Sequence, residues 1–116
     1  MDEFTIYHNP RCSKSRATLA LLEEHGAKLT IIEYLKAAPS AAELREVLRK
    51  LGMKAEELVR KGEDVYKAMY AGKTLTEAQW IDAMVKDPIL IERPIVIKDA
   101  RAALGRPPEN VRKLLK

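Results

Sequence analysis

Residues 4–34 read FTIYHNPRCSKSRATLALLEEHGAKLTIIEY. Residues 4–8, Phe-Thr-Ile-Tyr-His, mix aromatic and β-branched side chains, which suits a short strand. Asn9-Pro10 turns the chain. Residues 13–24 read as a helix carrying Leu19, Leu21 and Leu22, and Gly26 fits the left-handed stop after it. Residues 29–34, Leu-Thr-Ile-Ile-Glu-Tyr, return to a strand pattern. Strand, helix and strand within about 30 residues make a βαβ unit, so the two strands are expected to be parallel.

Beyond this unit the pattern turns helical. Ser40 and Glu43 have capping-box spacing, in which each side chain satisfies a free amide at a helix start. Leu44, Val47, Leu48 and Leu51 follow at helical spacing, and Gly52 stops the helix. Residues 54–60 and 64–69 read as shorter helices. Thr76 with Gln79 repeats the capping box and opens a helix to about Val85. Its apolar stripe is Trp80, Ile81, Met84 and Val85, and Pro88 lies beyond its end. Residues 93–97, Arg-Pro-Ile-Val-Ile, form a β-branched run entered through proline. Asp99-Ala100 turns it into a second short strand over 101–104. Gly105-Arg106-Pro107-Pro108 is a rigid turn, and Pro108 opens a last helix with Val111, Leu114 and Leu115 inside. No repeat, low-complexity segment or linker interrupts the chain. The expected order is βαβ, a helical insertion over about 37–87, then ββα, within one α/β domain over 1–116.

Composition narrows the function. The chain has 116 residues, 47% apolar and 33% charged, so it can bury a core and keep a charged surface. That excludes a disordered tail or a collagen-like repeat. One cysteine excludes an internal disulfide framework and a zinc site built from several thiolates. No apolar run approaches the roughly 18 residues of a membrane-spanning helix. The N-terminus, Met1-Asp2-Glu3-Phe4, is acidic and lacks an apolar signal core. The chain is therefore expected to be cytosolic (cytoplasmic), where a lone thiol stays reduced. Lys and Arg number 21 against 17 Asp and Glu, a net charge of +4. The basic residues never run beyond pairs, and acids interleave with them. This reads as a solvated mixed surface with a few anion-binding arginines, with no nucleic-acid partner expected.

Cys12 is the residue to single out. It follows a strand in the turn that opens a helix, where backbone amides and the helix dipole favour an anion. A thiol so placed ionises more readily. Arg11, Lys14 and Arg16 add positive charge, Ser13 and Ser15 offer hydroxyls, and His8 stands four residues earlier. The same loop is an oxyanion site by construction, equally suited to phosphate, arsenate, sulfate or a carboxylate. Serine, not cysteine, occupies the position three residues on. One thiol can attack but cannot close an internal disulfide, so any redox cycle needs a second thiol from outside. Arg60, Arg93 and Arg106 each read, taken alone, as solvent-facing charges, and periodicity does not bring them together.

Three segments carry a resemblance: Ile6-Tyr7-His8-Asn9-Pro10-Arg11-Cys12-Ser13-Lys14-Ser15-Arg16, Glu92-Arg93-Pro94-Ile95-Val96, and Gly105-Arg106-Pro107-Pro108-Glu109. In order and separation the chain resembles the arsenate reductase-like (ArsC) family, in its glutaredoxin-coupled branch. Its short tail is similar to the YfgD-like subgroup, which lacks the C-terminal extension of the plasmid-type reductases. The resemblance implies a thioredoxin-like α/β fold with a mixed sheet and a helical insertion. It implies that Pro94 is a cis-proline facing the thiol. It implies Cys12 as nucleophile, with His8 and Ser15 as thiolate stabilisers. It implies that Arg60, Arg93 and Arg106 hold the oxyanion, with Lys61 as the alternative to Arg60 and Arg11 adding charge. The implied reaction is arsenate reduction to arsenite, with glutathione as co-substrate, glutaredoxin as partner, and no metal or bound cofactor. A monomer is expected. The alternatives are a monothiol oxidoreductase acting on glutathione mixed disulfides, and a non-enzymatic regulator of the Spx type, whose relatives bind RNA polymerase. A regulator needs no arginines around the thiol.

Overall fold

The computed structural model describes residues 3–115, so Met1 and Asp2 of the acidic N-terminus, and Lys116, lie outside the described residues. The chain folds as two compact units. The first runs to Ala37 and resumes at Arg93; the second is Ala38–Glu92.

In the first unit, β1 (Glu3–Tyr7), α1 (Ser13–Glu24) and β2 (Lys28–Ile32) form the expected βαβ, followed by β3 (Ile95–Lys98) and β4 (Arg101–Leu104). The sheet order is β2-β1-β3-β4. β1 and β2 run parallel, while β3 is antiparallel to both β1 and β4. This mixed sheet with its helices is a thioredoxin-like fold. Phe4 and Ile6 sit two apart on β1, so both project from one face of the sheet. They pack there with Val96, Ala103, Leu22 of α1, and Val111 and Leu114.

Several edges differ from the expectation. β2 ends at Ile32 because residues 33–37 close a turn, with Lys36 and Ala37 amides donating to the Glu33 carbonyl at 2.9 and 3.0 Å. Tyr34 is fully buried although it lies outside the strand. β3 starts at Ile95, since Pro94 has no N–H to give to a ladder. The last helix is 3-10 over Pro108–Leu114, and Leu115 is only half-buried at its end.

The second unit holds α2 (Ala41–Leu51), α3 (Ala55–Leu58), α4 (Asp64–Met69) and α5 (Glu77–Lys86). Both capping boxes form: Ser40 Oγ accepts from the Glu43 amide at 3.1 Å, and Thr76 Oγ1 from the Gln79 amide at 3.2 Å. Gly52 ends α2 with φ 69°, a left-handed value that favours glycine. α5 buries Trp80, Ile81, Ala83 and Met84, while Val85 is half-buried. The helix expected over 54–60 covers only four residues. Val59 turns extended to bridge Ile91, flanked by Arg60 N–H to Leu90 O at 2.7 Å and Glu92 N–H to Leu58 O at 2.9 Å. These bonds carry the helical unit on to Glu92, past the expected boundary at 87. No helix among the described residues is long and apolar enough to cross a membrane.

Gly105 is closely hemmed in. A Cβ there would lie 2.4 Å from Thr18 Oγ1 and 2.7 Å from Pro94 Cγ. Thr18 is fully buried, and its hydroxyl donates to the Lys14 carbonyl at 2.8 Å, so it cannot swing aside freely. Gly105→Ala is expected to cost about 1–3 kcal/mol through overpacking. Urea or thermal denaturation reads this directly, and an unshifted midpoint would mean the neighbours yield.

Candidate active site

The sheet register assembles the site. Tyr7 faces Ile95, and Ile95 faces Leu104, so β1 ends, β3 begins and β4 ends at one edge. The loop carrying Cys12 leaves β1 there, Arg93-Pro94 enters β3, and Gly105-Arg106-Pro107 leaves β4. The Arg93–Pro94 peptide bond is cis, and so is Arg106–Pro107, which the sequence reading did not anticipate. Arg106 Nη1 lies 3.9 Å from Cys12 Sγ and donates to the Arg93 carbonyl at 3.1 Å. Arg93 is buried, against the expectation of a solvent-facing charge, and its guanidinium hydrogen-bonds the Cys12 sulfur.

Cys12 is the N-cap of α1, with extended backbone angles φ −95° and ψ 122°. Its N–H donates to the Asn9 carbonyl and its carbonyl accepts from Arg16, both at 3.0 Å. Cys12 is half-buried. Burial alone pushes the thiol pKa up. The amide of Ser15, the Arg93 side chain, the amide of Lys14 and the Arg93 charge outweigh it, and the net direction is down.

Ser15 therefore acts on the sulfur through its amide. Its hydroxyl is engaged elsewhere: Oγ sits 2.7 Å from His8 Nδ1 and accepts from the Asn9 amide at 3.0 Å. His8 is itself buried, and this burial lowers its pKa; Glu33 pulls the other way and Arg16 reinforces the fall. His8 is thus neutral at pH 7. Ser15 Oγ has a second lone pair beside the one facing Asn9, so the His8 tautomer sets the direction of this bond: with the ring proton on Nε2, Nδ1 accepts the Ser15 hydroxyl proton.

Asn9 organises the loop beyond the turn the sequence suggested. Its Oδ1 accepts from the Arg11 amide at 3.0 Å, two residues on, which is an Asx-turn. Asn followed by Pro was the signal for it. Of the flanking cations, Arg16 donates to the Pro10 carbonyl at 2.8 Å, and Arg11 is exposed.

Arg60 lies in the second unit. Its Nη1 meets Glu92 Oε1 at 3.0 Å and its Nε meets Glu63 Oε2 at 3.2 Å. It is a largely covered, doubly paired guanidinium, not a free surface charge. Lys61 pairs with Glu56 on the surface at 3.6 Å. Nothing in the periodicity of 54–63 signalled those carboxylate partners.

The fold and this loop define a class: thioredoxin-like proteins with one thiol at a helix N-terminus, faced by guanidinium groups, with serine three residues on where a dithiol protein has its second cysteine. The sequence profile of the ArsC family matches residues 7–114, and the chain belongs to that family. It is 52% identical over 108 residues to the Escherichia coli K12 protein YfgD, covering 91% of each chain. It is 42% identical over 117 residues to the arsenate reductase of Neisseria meningitidis serogroup A, covering 99% of this chain and all of that one. The solved arsenate reductase from Vibrio cholerae superposes with a TM-score of 0.93 at 43% identity, covering 97% of each chain.

Two outcomes follow from the electrostatics. The Cys12 alkylation rate should rise with pH about a midpoint below that of an unperturbed thiol, and Arg93→Gln should move that midpoint up. The linked stability has a definite sign. A depressed thiol pKa stabilises the fold fully above the unfolded value, and the gain disappears as pH falls through the folded one. Wild type should therefore gain on Cys12→Ala with rising pH in that window. A flat difference would contradict the shift. For His8, long-range proton–nitrogen NMR at pH 7 should show a protonated Nε2 and a bare Nδ1. A protonated Nδ1 would instead release the Ser15 hydroxyl to donate elsewhere.

Proposed function

We propose that the protein is an arsenate reductase of the glutaredoxin-coupled kind, with Cys12 as its redox thiol. The observation that carries this reading is the convergence of Cys12 Sγ, Arg106 Nη1 at 3.9 Å and the Arg93 guanidinium on the first turn of α1. Arsenate reductases that match nearly the full length of the chain support it.

The residues divide the work as follows. Arg93 and Arg106 hold the oxyanion and offset the repulsion it meets from the thiolate. A planar guanidinium suits this because it grips two oxygens at once. Cys12 attacks arsenic, an As–S bond forms, and one arsenate oxygen leaves as hydroxide or water. Glutathione then displaces a second oxygen from arsenic as water, and a glutaredoxin thiolate attacks the glutathionyl sulfur, which breaks that As–S bond, leaves its electron pair on arsenic and gives a mixed disulfide. Those two external thiols supply the two electrons that reduce As(V) to As(III). Hydrolysis of the remaining As–S bond releases arsenite and restores Cys12. The chemistry runs through sulfur and the oxyanion, with glutathione as co-substrate. The lone cysteine supports the external thiols, since the chain has no second sulfur nucleophile of its own. Arg60 enters the reading through the family resemblance, with Glu63 and Glu92 as its present counter-ions.

The test is NADPH oxidation coupled through glutathione reductase, with arsenate, glutathione and glutaredoxin. Turnover should require all three and vanish in Cys12→Ser. Arg93→Lys and Arg106→Lys keep the charge but lose the fork. Each should weaken arsenate protection of Cys12 against alkylation about ten- to a hundredfold, the worth of a charge-assisted hydrogen bond. If arsenate gives wild type no protection, or both variants match it, the oxyanion assignment fails. Exchange with glutathione mixed disulfides then becomes the better reading.

A further inference from the structure

A cavity of about 220 Å³ opens beside the thiol loop, lined by His8, Asn9, Pro10 and Arg11 on one side and by Glu33, Leu35 and Lys36 on the other. We propose that it seats the γ-glutamyl end of the tripeptide thiol glutathione, with Arg11 and Lys36 holding the α-carboxylate of that end and Glu33 its ammonium. The inference rests on the glutathione-dependent reading above and says where that co-substrate binds.

The walls are preformed. The His8 amide donates to the Ile32 carbonyl at 2.8 Å, which ties the two sides together. The Asx-turn at Asn9 fixes one wall, and the Lys36 and Ala37 amides on Glu33 O fix the other. The wall is also part of the thiol loop, because the Asn9 carbonyl accepts the Cys12 N–H. The volume lies below the roughly 300 Å³ at which pockets enclose a whole small ligand. A seat of this size takes one arm of the tripeptide and leaves its sulfur outside, on the side of the loop that carries Cys12.

The charges select the ligand. Two cations and one carboxylate line the cavity, and the γ-glutamyl end of the tripeptide brings a carboxylate and an ammonium on one carbon to meet them. An inorganic oxyanion gains nothing from Glu33, so this seat differs in kind from the grip of Arg93 and Arg106. Glu33 and Lys36 face each other at 3.6 Å as an exposed pair. Such pairs are worth little, so each can exchange its partner for a ligand group. Leu35, 42% exposed, offers apolar surface to the glutamyl methylenes.

The test uses thiol–disulfide exchange without arsenate. Cys12 thiolate attacks one sulfur of glutathione disulfide, a Cys12–glutathionyl bond forms, the old S–S bond breaks, and one glutathione thiolate leaves. The rate is divided by that with uncharged 2-hydroxyethyl disulfide, which cancels any change in the thiol's own reactivity. Intact-mass kinetics supply both rates. Lys36→Glu and Glu33→Gln should each lower the ratio about fivefold. The sign for Glu33→Gln is decisive. Glutathione disulfide is a net anion, so if only the overall field mattered, removing Glu33 would raise the ratio. A raised ratio, or ratios equal to wild type in both variants, overturns the seat. Because arsenate is absent, failure of arsenate turnover would leave this ratio intact. Loss of the ratio with arsenate turnover preserved would remove only the seat.

Discussion

Everything at the candidate site depends on β3 lying antiparallel between β1 and β4. Where β1 and β4 leave the sheet, β3 enters it, so three loops far apart in sequence meet at one edge. Cys12, Arg93 and Arg106 arrive on those loops through the row Tyr7, Ile95, Leu104. The row is held by main-chain bonds and by burial of Ile95 and Val96, both fully inaccessible. A one-residue slip would turn Val96 away from Phe4, Ile6 and Leu22, so the core fixes the register. The chemistry is thus positioned by apolar packing behind it. Gly105 marks how closely the third loop is drawn in, because even a methyl group has no room between Thr18 and Pro94.

The electrostatics follow from what that edge brings together. A guanidinium buried as Arg93 is needs an anion close by, since an uncompensated charge out of water is costly. The Cys12 sulfur supplies that anion when it ionises, and the helix amides of Ser15 and Lys14 share its charge. In the proposed reaction the same donors serve twice. Before attack they hold a thiolate and an oxyanion of like charge side by side. Once the As–S bond forms, the sulfur charge is gone and the arginines turn wholly to the oxygens. Arg106 can do so without moving far, because its hydrogen bond to the Arg93 carbonyl anchors it independently of sulfur.

Much of this was legible in the sequence because it is local. α1 over Ser13–Glu24, α4 over Asp64–Met69, β4 over Arg101–Leu104 and both capping boxes fall where spacing and cap chemistry put them. So did the place of Cys12, since a strand-to-helix turn is readable from its flanks. What escaped is non-local or depends on hydrogen-bond partners. Arg93 read as a surface charge because only the fold brings it to the sulfur. Arg60 gave no sign of Glu92, which is 32 residues away. Tyr34 read as strand because its burial comes from packing outside the ladder. Ser15 read as a hydroxyl donor, but its hydroxyl is taken by His8 and its amide does the work at sulfur. Family resemblance grouped Arg93 and Arg106 with Cys12, and the structure shows the atoms through which these three touch.

His8 shows why the atoms matter. A cationic imidazole beside the thiol would lower its pKa by charge, and the lowering would vanish as the imidazole lost its proton. The structure takes another course: burial keeps His8 neutral despite Glu33, and the ring anchors Ser15 by a 2.7 Å bond. Ser15 in turn sits in the first turn of α1, whose amides face the sulfur. The thiol is thereby tuned through backbone geometry and the charge of Arg93. Acid is where the arrangement breaks. There the sulfur gains a proton and loses its claim on Arg93. An imidazolium at His8 would also donate from Nδ1, so the Ser15 hydroxyl could not donate to the ring. Both protonations push against the same first turn, so the helix start that makes the thiolate is also the element most exposed to its loss.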